Sequence, residues 1–145
     1  MSVGAVLKAK IAAQVVSVEP SATVLEIAEI ISSRRIGAVL VLDDHGGVAG
    51  IVSERDVVKA LAAHTDKVVT MRADDLMTHN VTTATAQTTI VEAMELMDHG
   101  YFRHLPVVND GKVEGIISIR DLVKYRIMEH ERDADDMKAY IGRMV

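Results

Sequence analysis

Two short segments of the chain carry a serine and an aspartate at the same spacing. They are Gly-Ile-Val-Ser-Glu-Arg-Asp at 50–56 and Gly-Ile-Ile-Ser-Ile-Arg-Asp at 115–121. In each segment an apolar strand ends at the serine, where a helix is predicted to begin. The free N–H groups and positive dipole end of that helix, with the serine hydroxyl, suit a phosphate. A carboxylate one turn further in can accept hydrogen bonds from both vicinal hydroxyls of a ribose.

The same spacing also has a purely structural interpretation. A serine that caps a helix, with an acidic residue three positions later, satisfies the free N–H groups of the first turn, as in a capping box. This cap accounts for the serine and the aspartate of both segments without any ligand. It does not account for Arg55 and Arg120, which occupy the same position in the two segments. Both interpretations therefore stay open.

The two segments belong to an internal repeat. A shift of 65 residues lays Val16–Lys59 on Val81–Lys124 without a gap, and residues 15–60 and 80–125 share 13 identities in 46 positions. Nine of the identities lie near the end of the repeat, within and beside the serine–aspartate segments. Self-similarity at a fixed period indicates a duplicated structural unit.

Each copy of the repeat predicts the same order of elements. A β-branched stretch comes first, an amphipathic segment with helical spacing follows, and two apolar strands then precede a second helix. The predicted strands are residues 15–18, 38–42, 48–52, 81–83, 104–108 and 113–117, and the predicted helices are 24–31, 90–97 and those beginning at Ser53 and Ser118. Asp110-Gly111 is a strong hairpin signal. The order β-α-β-β-α predicts an α/β fold, with the two sheets packed face to face about a pseudo-twofold axis.

The repeat also sets the predicted division of the chain. We expect a helical segment at 1–13, the first repeat at 14–64, a linker at 65–79, the second repeat at 80–126 and a helical tail at 127–145. Within the linker, a short helical piece is predicted at 74–77.

The tail carries an apolar stripe at helical spacing. Met137, Tyr140, Ile141 and Met144 fall on one face of a helix that continues beyond Tyr125. This face either packs on its own domain or forms a contact between two copies of the chain.

Composition excludes several classes of protein. The 145 residues are 49% hydrophobic, which suits one compact domain or two half-domains with a shared core. The absence of cysteine excludes disulfides, cysteine-ligated metals and a thiol nucleophile. A net charge of −5 with 3% aromatic residues argues against nucleic acid as a partner. The apolar runs are too short to span a membrane and residues 1–13 do not resemble a signal peptide, so we expect a cytoplasmic protein.

Motifs for metal binding or nucleotide hydrolysis are missing from the sequence. The six histidines do not show a metal-ligand spacing, and neither a P-loop nor a Gly-x-Gly-x-x-Gly segment is present. We therefore predict neither a metal site nor catalytic residues. A small nucleotide hydrolase or transferase that uses Asp56 or Asp121 remains an alternative, although the sequence places no second acid or base beside either carboxylate.

Two β-α-β-β-α units that each end in Gly-apolar-apolar-Ser-x-x-Asp resemble the tandem cystathionine-β-synthase (CBS) domain pair, or Bateman module. Residues 36–41 and 103–108 are also similar to the family, and the resemblance extends over residues 10–126. It implies an adenosyl ligand in the clefts between the repeats and dimerisation of the chain. AMP is the favoured ligand, and ADP, ATP, NAD(H) and S-adenosylmethionine are the alternatives.

The resemblance also implies which residues contact the ligand. They are Gly37, Ala38, Ser53, Arg55, Asp56, Thr82, Arg103, His104, Leu105, Pro106, Ser118, Arg120 and Asp121. The two aspartates would hold the ribose hydroxyls, and the two serines would lie near phosphate. The backbone around 37–38, 82 and 105–106 would line the adenine position. Arg103 and His104 would supply cations for phosphate, and Arg103 is the expected phosphate ligand because its guanidinium stays charged and can bind two oxygens.

The first repeat departs from this pattern. In the gapless alignment the neutral pair Ala38-Val39 stands where the second repeat carries Arg103-His104. Unless Arg34 or Arg35 supplies the missing charge, the two clefts are not expected to bind equally.

These observations together predict a regulatory module that stands alone. We expect a homodimer that binds an adenine nucleotide and signals its occupancy to an effector protein that the sequence does not identify. The alternatives are a structural dimerisation domain with empty clefts and the small nucleotide-processing enzyme considered above.

Overall fold

The computed structural model of the chain describes residues 1–10 and 15–144. The helices are α1 (Val3–Ala9), α2 (Val24–Arg34), α3 (Glu54–His64), α4 (Ala73–Leu76), α5 (Ile90–Gly100) and α6 (Ile119–Arg143), with a 3₁₀ segment at Thr65–Thr70. The strands are β1 (Ser17–Val18), β2 (Ala38–Leu42), β3 (Val48–Ser53), β4 (His104–Asn109) and β5 (Lys112–Ser118). Residues 11–13 of the predicted N-terminal helical segment lie outside the described residues.

The strands form two small sheets. In the first sheet β1 runs parallel to β2, and β2 is antiparallel to β3. In the second sheet β4 and β5 form an antiparallel hairpin. Both predicted hairpins are confirmed, and Asp110 and Gly111 adopt the positive φ angles of 50° and 77° that a tight Asp-Gly turn requires.

The strand predicted at 81–83 is wrong. Pairing at this edge is confined to Ala84, whose N–H donates to the Pro106 carbonyl at 2.8 Å and whose carbonyl accepts from the Val108 N–H at 2.9 Å. Thr82 and Thr83 are exposed. Their β-branched side chains therefore gain none of the packing that makes such residues favour a strand.

The first helix of each repeat starts at a capping box. The side chain of Thr23 accepts a hydrogen bond from the Glu26 N–H at 3.2 Å, and that of Thr89 accepts one from the Glu92 N–H at 3.1 Å. The carboxylates accept in turn from the threonine N–H groups. Four of the exposed N–H groups at the starts of these helices are thus satisfied locally, which fixes where α2 and α5 begin.

The gapless alignment of the repeats is wrong in their first halves. Ala38 pairs with Ser53 in the first sheet, whereas His104 pairs with Ser118 in the second. The structural counterpart of His104 is therefore Ala38, and that of Arg103 is Gly37. The physical reason is the hairpin turn, which is one residue longer in the first repeat, at 43–47, than in the second, at 109–112.

Helices α1 and α4 hold equivalent positions on the two repeats. The Val3 N–H donates to the Thr88 carbonyl at 2.8 Å, and the Ala73 N–H donates to the Ala22 carbonyl at 2.7 Å. The side chain that follows each contact covers a strand glycine. Leu7 lies over Gly115 in the second repeat, and Met77 lies over Gly50 in the first.

Each repeat therefore packs against the helix that precedes the other repeat in the chain. Val3 and Val6 of α1 are buried in one cluster with Leu105, Ile117 and Leu122 of the second repeat. Ala73 and Met77 belong to the cluster of the first repeat, which is built on Ile27, Val39 and Val52.

The last helix extends far beyond the second repeat. Helix α6 continues unbroken to Arg143, as predicted, and residues 130–144 are exposed. The interpretation in which the apolar tail stripe packs on its own domain is therefore wrong. A contact between two copies of the chain stays a prediction.

Replacement of Gly50 by alanine is expected to destabilise the first repeat. A methyl group there would lie 2.5 Å from Met77 Sδ and 2.9 Å from Met77 Cβ, so a change of side-chain rotamer cannot relieve the whole clash. We expect the free energy of unfolding to fall by about 1–3 kcal/mol. Urea unfolding measures this change.

Gly142→Ala is the control for this substitution. Among the described residues, a methyl group at Gly142, in α6, meets no atom within 4 Å beyond its own helix backbone and chain neighbours, and alanine favours a helix over glycine. This variant is expected to be neutral or slightly stabilised. Equal stability of Gly50→Ala and the wild type would contradict the packing of Met77 on Gly50.

Candidate functional site

Both serine–aspartate segments form the capping boxes that their spacing predicts. The Ser53 N–H donates to Asp56 Oδ2 at 2.8 Å, and the Asp56 N–H donates to Ser53 Oγ at 3.3 Å. The Ser118 N–H donates to Asp121 Oδ2 at 2.8 Å, and the Asp121 N–H donates to Ser118 Oγ at 3.1 Å. The structural interpretation of the motif is thus confirmed.

The caps do not use up the two carboxylates. Every hydrogen bond that either aspartate side chain accepts within the described residues goes to Oδ2. The second oxygen, Oδ1, is left for another donor. Because the cap fixes the orientation of each carboxylate, the same aspartate can stabilise the start of a helix and present an oxygen to a ligand.

Asp121 has a partner that the sequence analysis did not identify. Lys10 Nζ, at the C-terminal end of α1, lies 3.0 Å from Asp121 Oδ2 and donates at 3.0 Å to the Ile116 carbonyl. Burial raises the pKa of Asp121, but the hydrogen bonds from Ser118 and Lys10 outweigh it, so the pKa lies below its usual value. Lys10 and Asp121 are 111 residues apart, and no local motif connects them.

His104 stands where the two repeats meet. A methyl group at Gly37 would lie 2.8 Å from both Cε1 and Nε2 of the His104 ring, so the ring of the second repeat fills the space that this glycine leaves in the first. Glu54 Oε1 would lie 3.8 Å from the same methyl position. Glu54 is thus a second residue near this junction that the sequence analysis missed.

Burial disfavours the charged form of His104. It lowers the pKa of the imidazole below its usual value, against the opposing effect of the Asp121 and Glu54 carboxylates, while Lys10 and Arg103 lower it further. The lowered pKa therefore favours the neutral ring over the cation that the resemblance implies at this position.

Arg103 lies just outside the strand. Its backbone carbonyl accepts a hydrogen bond from the Ile119 N–H at 2.9 Å, and the carbonyl of Gly37, its counterpart, accepts one from the Glu54 N–H at 2.9 Å. The two positions therefore hold the starts of α6 and α3. The Arg103 side chain is exposed, and this exposure allows the guanidinium to reach a ligand.

The other residues predicted to contact the ligand fall into a buried group and an exposed group. The side chains of Ala38, Leu105 and Pro106 are buried in the core, so only their backbone could meet a ligand. Those exposed to solvent are Thr82, Arg55 and Arg120. Within the described residues, no side-chain hydrogen bond or ion pair joins these three to the cluster of Lys10, His104, Ser118 and Asp121.

Two surface cavities lie away from this cluster. One, of about 550 Å³, is lined by Ser17, Glu19, Glu26 and other residues beside β1 and α2. The other, of about 370 Å³, lies between α1 and α6. Neither contains a predicted ligand-binding residue, so neither coincides with the cluster around Asp121.

Two further properties concern residues 1–10 and 15–144 only. In these ranges no group of three or more histidine, aspartate or glutamate side chains is placed to hold a metal ion. No helix in the same ranges combines the length and the apolar character of a membrane span.

Comparison with known proteins identifies the family. The sequence profile described as "CBS domain" matches residues 6–63 and 73–127. An uncharacterized 17.7 kDa protein of Acidianus ambivalens is 34% identical over 126 residues, 83% of this chain and 75% of that protein. A mitochondrial CBS-domain-containing protein of Arabidopsis thaliana is 29% identical over 82% of this chain, which spans 60% of the length of that relative. The chain belongs to the CBS domain family.

Solved structures agree with this assignment. A CBS-domain-containing protein from Agrobacterium tumefaciens has a TM-score of 0.83 at 40% identity, and the match covers 87% of this chain and 99% of that one. A CBS domain protein from Pyrobaculum aerophilum, complexed with AMP, has a TM-score of 0.74 at 26% identity, with coverages of 83% and 89%. The predicted α/β fold of two CBS repeats is confirmed.

The ion pair of Asp121 predicts a dependence of stability on pH. Because the pKa of the folded carboxyl is depressed, its stabilising contribution is present above the unfolded pKa of about 3.9 and is lost as pH falls through the folded value. Asp121→Asn is expected to lower the free energy of unfolding by about 1–3 kcal/mol at pH 7. This difference from the wild type should narrow as the pH falls below about 4.

Urea unfolding at several pH values measures the difference. Asp98→Asn, which changes an exposed carboxylate of α5, is the control and should stay close to the wild type throughout. A deficit of Asp121→Asn that does not change with pH would contradict the ion pair.

Proposed function

We propose that the chain is a regulatory module that binds an adenine nucleotide between its CBS repeats and signals occupancy to a partner protein. The observation that carries the proposal is the pair of carboxylates at the third positions of α3 and α6, each oriented by a serine cap with Oδ1 left for a donor. The AMP complex of the Pyrobaculum aerophilum relative supports the choice of ligand class.

Each part of the nucleotide has a matching group in this proposal. Asp56 and Asp121 accept hydrogen bonds from the ribose hydroxyls of the two clefts. Ser53 and Ser118 stand at helix starts, where partial positive charge favours phosphate. The exposed guanidinium of Arg103 adds a charge that can bind two phosphate oxygens. Backbone groups near the starts of β2 and β4 contact the adenine ring, because the side chains at these positions are small or buried.

AMP is the favoured ligand, and ADP, ATP, NAD(H) and S-adenosylmethionine are the alternatives. All of these ligands share adenine and ribose, so the aspartates do not separate them. What separates them is the group at the 5′ position and the charge that receives it. Arg103 favours a phosphate there.

The proposed assembly is a homodimer. Tyr140 and Ile141 of the tail stripe are 61% and 54% exposed, and Val58 and Leu61 of α3 are 64% and 55% exposed, which is high for large apolar side chains. A second copy of the chain would remove these faces from water. A ligand bound between the repeats could then alter the surface that the dimer offers to an effector protein.

A structural dimerisation domain without a ligand is the second candidate function. It is favoured by the same exposed apolar faces and by the completeness of the serine caps, which need no ligand. Nucleotide binding separates the two functions, because only the regulatory module gains stability from AMP. Turnover of ATP, in contrast, would indicate the nucleotide-processing enzyme.

Selectivity for the ribose tests the role of the aspartates. A partly buried carboxylate that loses one hydroxyl partner keeps an unsatisfied acceptor, so deoxyAMP is expected to bind about tenfold or more weakly than AMP. Competition against a fluorescent AMP analogue measures the ratio. Equal displacement by AMP and deoxyAMP would show that Asp56 and Asp121 do not read the ribose.

A further inference from the structure

Lys10 is bound to the carboxylate that the proposed function assigns to the ribose of the second repeat. Its ammonium donates at 3.0 Å to Asp121 Oδ2 and at 3.0 Å to the Ile116 carbonyl. The side chains of Lys10 and Asp121 are only 31% and 21% exposed. The ion pair is therefore partly shielded from water. An ion pair shielded in this way is stronger than one on an open surface.

The first repeat lacks this arrangement. The carbonyl of Ile51, the counterpart of Ile116, accepts from the Thr78 N–H at 3.0 Å rather than from a lysine. Met77 corresponds to Leu7, but α4 ends at Leu76 and the chain is extended at Met77, whereas α1 continues to Ala9. Thr78 therefore stands beside Ile51 where the Lys10 side chain stands beside Ile116. Within the described residues Asp56 is bound by Ser53 alone.

From this difference we propose that Lys10 makes the two clefts unequal. The ammonium is hydrogen-bonded to the Asp121 carboxylate, so that a nucleoside fills the Asp56 cleft first. The Asp121 cleft fills only when Lys10 moves away. This inference rests on the proposed function, because it takes both aspartates as ribose ligands.

The competition is for one of the two oxygens of the Asp121 carboxylate. One ribose hydroxyl can donate to Oδ1, but the second vicinal hydroxyl needs Oδ2, which already receives the Ser118 N–H and the Lys10 ammonium. Displacement of the lysine breaks one charge-assisted hydrogen bond and the bond to the Ile116 carbonyl. The expected loss of affinity at this cleft is on the order of ten- to a hundredfold relative to a chain without the lysine.

The 5′ group of the ligand changes this competition. AMP offers its phosphate to the displaced ammonium, whereas adenosine offers no anion. Adenosine is therefore the cleaner probe of the block at Asp121, and AMP serves to confirm nucleotide binding itself.

The test is titration calorimetry of adenosine and AMP into the full chain and its variants. Lys10→Met removes the ammonium and keeps the length of the side chain. Lys8→Met makes the same charge change at an exposed residue of α1 that does not contact Asp121, and it is the matched control. Asp56→Asn and Asp121→Asn identify the cleft. Circular dichroism checks the fold, and Lys10→Gln replaces Lys10→Met if that variant is unfolded.

The expected result is one adenosine site in the wild type and in Lys8→Met, lost in Asp56→Asn and kept in Asp121→Asn. Lys10→Met should either gain a second adenosine site or bind adenosine at a second site ten- to a hundredfold more tightly than the wild type. Combining Lys10→Met with Asp121→Asn should remove that second site. If Lys10→Met binds as the wild type does, or if the first site is lost in Asp121→Asn instead, the role of Lys10 is overturned while the proposed function stands. Failure of every protein to bind either ligand would overturn the proposed function, and the role of Lys10 with it.

Discussion

The reciprocal hydrogen bonds between a serine and an aspartate at the starts of α3 and α6 are the constraint on which the candidate site depends. Each pair ends a strand, begins a helix and holds a carboxylate in one orientation. The backbone carbonyls of Gly37 and Arg103 accept the next N–H of the same helices, at Glu54 and Ile119. These hydrogen bonds hold the starts of β2 and β4 against the starts of the two helices. The capping-box interpretation and the ligand-binding interpretation of the serine–aspartate segments are therefore compatible with one arrangement.

The pseudo-symmetry of the chain is broken where ligand chemistry is expected. One additional residue in the first hairpin turn changes which residues of the two repeats are structurally equivalent. Gly37 and Ala38 of the first repeat therefore correspond to Arg103 and His104 of the second. The His104 ring then fills the space at Gly37. Lys10 adds a second difference, because it pairs with Asp121, whereas Asp56 has no ion-pair partner within residues 1–10 and 15–144. Two repeats that are similar in sequence therefore differ in charge at the candidate site.

The sequence predicts most of the fold because local signals determine it. Threonine and serine caps mark the helix starts, Asp110-Gly111 marks a turn, and apolar runs mark the hairpin strands. The strand at 81–83 was not predictable from residue type, since strand formation depends on packing that Thr82 lacks. The Lys10–Asp121 pair was not predictable either, because it depends on where α1 packs. The candidate aspartates and their suitability for a ribose followed from spacing, and the adenosyl ligand and the other contacts followed from the family resemblance.

Native mass spectrometry of the full chain, first as purified and then with AMP added, tests the central claim most directly. It reports the number of subunits and the mass of any bound ligand in one spectrum. The account predicts a dimer whose mass increases by whole AMP units, with the increase reduced in Asp56→Asn. A spectrum in which AMP at millimolar concentration adds no mass to any species would contradict it.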